Sequence, residues 1–101
     1  DVVVLNLTRV IQMSVDIATH IIACKNDALP SSMAEAFVSL QRLNIITPEI
    51  ADKMRRSVSY RNVAVHAYDD IDLKITYDIA HHHLNDFKHY IEQVIRDNED
   101  L

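Results

Sequence analysis

Apolar residues recur at helical spacing in four stretches of this chain, separated by short polar breaks. Residues 2–26 form the first stretch, and fifteen of the first 24 residues are apolar. The polar residues Arg9, Gln12, Asp16 and His20 follow one another at intervals of three, four and four. That spacing draws one narrow polar stripe along an otherwise apolar helix. A lipid-facing span would not carry four such groups on one face, so no membrane segment is expected. A helix apolar around most of its circumference needs neighbours on several sides, which predicts a second copy of the chain or a further segment against it. Asn26-Asp27 and Pro30 mark a turn. Ser32-Met33-Ala34-Glu35 is a capping box that opens a second helix, to about Asn44. Thr47-Pro48-Glu49 opens a third, with Thr as cap, Pro in the first turn and an acid near the positive helix end. That helix extends to about Val65. Asp69-Asp70-Ile71-Asp72 is a polar break, and the last helix spans about Leu73 to Asp97. On it Tyr77, Ala80, Leu84, Phe87, Ile91 and Val94 form the expected core stripe. With no repeat or linker, residues 1–101 read as one domain, an all-α antiparallel four-helix bundle.

Composition narrows the function. The chain has no Gly, which excludes nucleotide binding through a Gly-rich loop, because such loops need positive φ or a close backbone approach. Cys24 is the single cysteine, so no intramolecular disulfide forms, and its apolar helical setting predicts a buried, inert thiol. No cysteine pair supports a zinc site and no signal peptide is visible, so a cytoplasmic protein is expected. The net charge of -5 argues against a general nucleic-acid binder. Charge is uneven, however. Residues 49–68 hold Lys53, Arg55, Arg56 and Arg61 against Glu49 and Asp52, leaving -7 on the rest of the chain. A positive island on an acidic body suits one phosphate-rich substrate or an acidic partner. Lys53, Arg55 and Arg56 are candidate contacts to a nucleic-acid backbone, or simply a solvated helix face.

The chemistry concentrates in Arg61-Asn62-Val63-Ala64-Val65-His66-Ala67-Tyr68. Six Arg, six His and four Tyr in 101 residues predict about 0.014 chance occurrences of Arg-x4-His-x-Tyr. Arg clamps a phosphate with a planar fork of donors, and His exchanges a proton near neutral pH, so the pair is a minimal kit for cleaving phosphodiesters. Five residues separate Arg61 from His66, about 140° around a regular helix. Either the helix ends near Val65 and lets His66 swing round, or a second copy completes the pocket. The competing structural reading is a salt bridge from Arg61 to Asp69 or Asp70, with His66 beside the helix dipole. Tyr68 reads as a half-buried aromatic or as an exposed phenol open to modification. His81-His82-His83 with His89 invites a metal site, but adjacent helical residues point 100° apart and cannot chelate one ion together. Asp78 with His82, or His82 with Asp86, would fit the spacing; a solvated or interfacial His cluster is expected, and no metal.

These residues resemble a known family. Arg61-x4-His66-x-Tyr68 preceded by Lys53-Met54-Arg55, the early Leu5-Asn6-Leu7 and Asp16-Ile17-Ala18-Thr19-His20-Ile21, and His82-His83-Leu84-x-Asp86-Phe87 are together similar to HepT-like toxins of the HEPN superfamily. The similarity spans nearly the whole chain. It implies a homodimeric helical bundle that sets two copies of the motif across a shared cleft. It also implies metal-independent endoribonuclease activity in a toxin–antitoxin pair, with Arg61 and His66 catalytic, Asn62 supporting them and tRNA a possible target. The family's partner is an MntA-like nucleotidyltransferase antitoxin, which uses ATP to attach AMP to the Tyr, here Tyr68; the toxin itself needs no cofactor. Members carry another helix ahead of the Leu-Asn-Leu segment, so this chain, starting at Asp1 without an initiator Met, is expected to lack it. The alternative from another class is a non-catalytic dimeric module that binds and regulates a nucleotidyltransferase.

Overall fold

A computed structural model describes the backbone over residues 2–66 and 73–99, and the side chains over residues 5–62, 78 and 81–97. Four helices make up the described chain: α1 (Val2–Cys24), α2 (Met33–Arg42), α3 (Pro48–His66) and α4 (Leu73–Glu99). Each boundary has a local cause. At the start of α2 the Ser32 hydroxyl accepts from the Glu35 N–H at 3.2 Å, as a capping box requires. The Glu35 carboxylate reaches one residue further back than expected, to the Ser31 N–H at 2.9 Å and to the Ser31 hydroxyl. The Ser31 bonds, with Arg42 a weaker influence, hold the Glu35 carboxyl below its ordinary range. The Thr47 hydroxyl caps α3 by accepting from Ile50 N–H at 3.3 Å.

Where α1 and α2 end, Asn26 and Asn44 take φ values of 57° and 62°. Each sits in a double-bonded helix terminus. The N–H of Asp27 donates to Ile22 O and that of Asn26 to Ala23 O; Ile45 and Asn44 repeat the pattern on Leu40 and Gln41. Asparagine thus fills the left-handed position that glycine usually takes. α2 therefore stops at Arg42 rather than Asn44.

The core is continuous through all four helices. Leu7, Ile11, Val15, Ala18, Ile21 and Ile22 from α1 meet Phe37 and Leu40 from α2, Ile50, Met54 and Val58 from α3, and Tyr90 and Val94 from α4. α1 packs against the other three helices, so much of its apolar circumference is used within the chain; Leu5 and Met13 remain exposed. The stripe Arg9, Gln12, Asp16 and His20 faces outward or nearly so, with Gln12 donating to Asp16 at 3.0 Å. At the centre, Tyr90 is fully buried against the edge of Phe37, ring centroids 5.6 Å apart at 82°. Its hydroxyl donates to the Ser14 carbonyl at 2.8 Å.

Polar ties fix helix directions. Gln93 on α4 accepts from Thr47 N–H at 2.9 Å and donates to the Thr47 hydroxyl at 3.4 Å, while Lys53 lies 3.7 Å from Asp86. α3 and α4 therefore run antiparallel. Lys25 pairs with Asp97 at 3.7 Å, so the C-terminal ends of α1 and α4 meet. No helix among the described residues is long and apolar enough to cross a membrane.

Two expectations fail. Leu84 is 58% exposed, and the buried edge of α4 is His83, Tyr90 and Val94, with Phe87 and Ile91 partly buried beside it. The side chains of Tyr77 and Ala80 lie outside the described residues. The inward face passes through His83, which replaces Leu84 because Tyr90 sets the rotation of the helix. Cys24 is exposed rather than buried, in the last turn of α1 on the side of His20, whose Nε2 is 3.6 Å from its Sγ.

Candidate functional site

Arg61 and Asn62 lie in the last two turns of α3, and His66 is its final residue. The helix is continuous through the motif, so the helical position of His66 lies about 140° round from that of Arg61. Arg61 is partly buried and its Nη1 donates to Asn62 Oδ1 at 3.4 Å. Its Nε is shielded from water and has no hydrogen-bond partner among the described residues. A shielded guanidinium N–H without an acceptor is costly in isolation, and an incoming phosphate oxygen would satisfy it. Asn62 is exposed, four residues before His66. The His66 side chain lies outside the described residues, as do Tyr68 and the proposed partners Asp69 and Asp70.

The cations expected to touch nucleic acid are held by carboxylates of the same chain. Arg56 pairs with Asp52 at 2.9 Å, Arg55 with Asp52 at 3.4 Å, and Lys53 with Glu49 at 3.4 Å and with Asp86. Exposed pairs of this kind contribute about 0–1 kcal/mol, so they can open to a phosphate at little cost. They also make the positive island weaker than the bare sequence suggests.

Beside these cations lies an open groove of about 430 Å3 between α3 and α4. Lys53, Arg56, Ser57 and Tyr60 line it from α3; His82, His83, Asn85 and Asp86 line it from α4. Lys53, Ser57 and Arg61 follow at intervals of four, so Arg61 continues the same ridge of α3. His83 is 3% exposed, and its Nε2 has no hydrogen-bond partner among the described residues. Burial pushes its imidazole below the ordinary His range, and the Asp86 carboxylate opposes this more weakly. His83 was expected in a solvated or interfacial cluster with His81 and His82, and only those two neighbours are exposed. The signal was present in its spacing: seven residues before Tyr90 and eleven before Val94 place it on their face. Among the described residues no group of three or more His, Cys, Asp or Glu side chains is gathered to hold a metal ion.

The model of the family described as ribonuclease HepT-like matches residues 1–94. The chain belongs to this HepT-like family. It is 36% identical over 94 residues to the mRNA nuclease HepT of Shewanella oneidensis, spanning 93% of this chain and 71% of that protein. It is also 32% identical over 88 residues to the tRNA nuclease HepT of Aphanizomenon flos-aquae, spanning 87% of this chain and 60% of that one. Among solved structures, the chain superposes on a toxin–antitoxin complex with AMP-PNP with a TM-score of 0.84 at 35% identity, over 91% of this chain and 70% of that one. A tri-AMPylated Shewanella oneidensis HEPN toxin in complex with an MNT antitoxin gives a TM-score of 0.84 at 34% identity, over 92% and 70%. The HepT-like bundle expected from the sequence is therefore the fold observed.

Proposed function

We propose that this HepT-like chain is the toxin of a toxin–antitoxin pair and cleaves RNA at a composite site built from Arg61 of one protomer and His66 of another. The observation that carries the reading is the shielded Nε of Arg61, which has no hydrogen-bond partner among the described residues, on a helix where His66 occupies a position about 140° away. One helix does not readily aim both groups at one phosphate, whereas a two-fold axis brings the second copy's motif opposite the first. Arg61 holds the scissile phosphate and stabilises the charge that develops on it. His66 removes the proton from the ribose 2′-hydroxyl, or delivers one to the departing 5′-oxygen, and water takes the opposite role. The 2′-oxygen bonds to phosphorus as the bond to the 5′-oxygen breaks, leaving a 2′,3′-cyclic phosphate and a 5′-hydroxyl. Asn62 steadies the Arg61 guanidinium through its side-chain carbonyl. Since guanidinium and imidazole supply both the charge and the proton, the reaction needs no divalent ion. Lys53, Arg55 and Arg56 exchange their carboxylate partners for RNA phosphates, and tRNA is the first target to test.

Silencing follows from AMP transfer by a nucleotidyltransferase antitoxin using ATP. The Tyr68 phenol oxygen bonds to the α-phosphorus, pyrophosphate leaves and the phenolic proton is lost. The added nucleotide, bulky and negative two residues from His66, excludes RNA from the cleft. The AMPylated state of the Shewanella oneidensis toxin supports this reading for its relative here.

Purified chain, free of antitoxin, should cleave RNA in EDTA and leave cyclic phosphate ends. Arg61→Ala and His66→Ala should each lower kcat/KM by at least about 100-fold. Abolition of cleavage by chelator would refute the metal-free mechanism. Undiminished cleavage by the double variant would refute the site, leaving a module that only binds the nucleotidyltransferase. Incubation with antitoxin and ATP should add about 329 Da per AMP to the intact mass, and a Tyr68→Phe variant should not gain the first increment.

A further inference from the structure

We propose that the groove between α3 and α4 is a nucleobase subsite, holding the base of a nucleotide that flanks the cleaved linkage, with guanine the preferred occupant. The inference rests on the nuclease reading only for the word "flanking"; base binding itself is independent of it. Three observations carry it. The groove, about 430 Å3, falls within the range of small-ligand pockets. His83 lines it, and its shielded Nε2 has no hydrogen-bond partner among the described residues. A native structure seldom leaves such a group unsatisfied, and an edge of a base satisfies it. Tyr60 lines the wall, and an aromatic side chain is the usual platform on which an unpaired base stacks.

Charge selects the base rather than the phosphate. The two cations on the rim, Lys53 and Arg56, lie against Asp86 and Glu49, and against Asp52. The groove is thus close to neutral, and His83 stays uncharged because burial disfavours its cation. A neutral imidazole offers one donor or one acceptor at Nε2. The Asp86 carboxylate is an acceptor only, the Asn85 amide both donates and accepts, and both face the groove. A carboxylate beside a neutral His and an amide matches an edge rich in N–H donors with an adjacent carbonyl, which among the four bases is guanine. One other hollow differs in character. The one between the α2–α3 turn and α4 is lined by Thr47 and Gln93, which satisfy each other.

The groove also lies where a flanking nucleotide would. Ser57 is one turn before Arg61 on the same ridge, about 6 Å along the helix axis. A strand whose phosphate sits at Arg61 can lay its neighbouring base against Ser57 and Tyr60.

The test separates base binding from cleavage. The four 5′-mononucleotides are titrated into the full chain while amide and His imidazole resonances are followed by NMR. GMP should saturate, shift the His83 ring resonances and bind at least tenfold tighter than CMP or UMP. Ser57→Leu, which puts a bulkier side chain at a buried position lining the groove, should weaken GMP at least tenfold while keeping the helical circular dichroism of the unaltered chain; Asp86→Asn should erase the preference for guanine. Arg61→Ala should abolish RNA cleavage yet keep GMP ranked above CMP and UMP, and whatever cleavage Ser57→Leu retains should lose its preference for sites next to G. Failure of GMP to saturate, or saturation indifferent to Ser57→Leu, overturns the subsite. Saturation without cleavage by any form leaves the subsite standing and removes the nuclease reading.

Discussion

Tyr90 shows how one side chain joins the bundle. Its ring closes the core between Phe37 and Phe87, and its hydroxyl crosses to the backbone of α1 at Ser14. Replacing it with Phe keeps the ring contacts and removes one buried hydrogen bond, a loss of about 1 kcal/mol. Ser14 O keeps its place in the helical ladder, which limits the cost. A second signature separates this from ordinary repacking. Burial raises the Tyr90 phenol above its ordinary value of about 10, so in alkali the unfolded chain releases that proton first. The contribution is complete below pH 10 and declines as pH rises toward the higher folded value, because the unfolded state then binds fewer protons. Urea unfolding of Tyr90→Phe should show the deficit at pH 7 and a shallower decline above pH 10 than the unaltered chain. A parallel decline in both proteins would show that Tyr90 ionises freely in the fold.

Helix termini carry most of what the sequence makes legible. Ser32 and Thr47 were readable as caps because a hydroxyl before an acidic first turn has one obvious use, and both make the expected bond. The helix ends were harder, since no Gly marks them; Asn26 and Asn44 do that work, and an Asn in a polar turn is a weaker signal. The rotation of α4 misled because periodicity ranks Leu84 above His83, whereas packing of Tyr90 and Val94 settles the face. For the site, the linear motif was plain from residue types alone. The groove was not, because Ser57 and Tyr60 on one helix and His83 and Asp86 on another become neighbours only after packing. The termini yield a contrast to test. Asn44→Gly should be neutral or slightly stabilising, because glycine takes φ near 62° without strain, whereas Asn44→Val should cost about 1–2 kcal/mol. Thr47→Ala should cost about 1–2 kcal/mol, as it removes a cap and one of the two bonds to Gln93. Thermal unfolding of the three variants checks the order; equal losses in Gly and Val variants would mean that Asn44 matters through its side chain rather than its backbone.

Arg61 and His66, proposed as the reactive pair, occupy helical positions that diverge on a continuous α3, and only an assembly of chains can bring them together. If each cleft takes Arg61 from one protomer and His66 from the other, Arg61→Ala and His66→Ala homodimers both have two dead clefts. A heterodimer of the two variants concentrates both defects in one cleft and leaves the other with an intact pair. Random exchange of protomers makes half the dimers heterodimeric, each with one working cleft, so the mixture should regain about one quarter of the unaltered activity. If instead Arg61 and His66 of one chain serve the same cleft, every cleft in the heterodimer keeps one defect and mixing restores nothing. The variants would be unfolded together and refolded at equal concentration, so that protomers exchange, with each variant refolded alone as the control. Cleavage of a labelled RNA would be read at equal total protein. Recovery in the mixture alone requires two chains to meet around one phosphate. Its absence, with heterodimers demonstrated by native mass spectrometry, would place both groups in a single chain and demand that α3 unwind before His66.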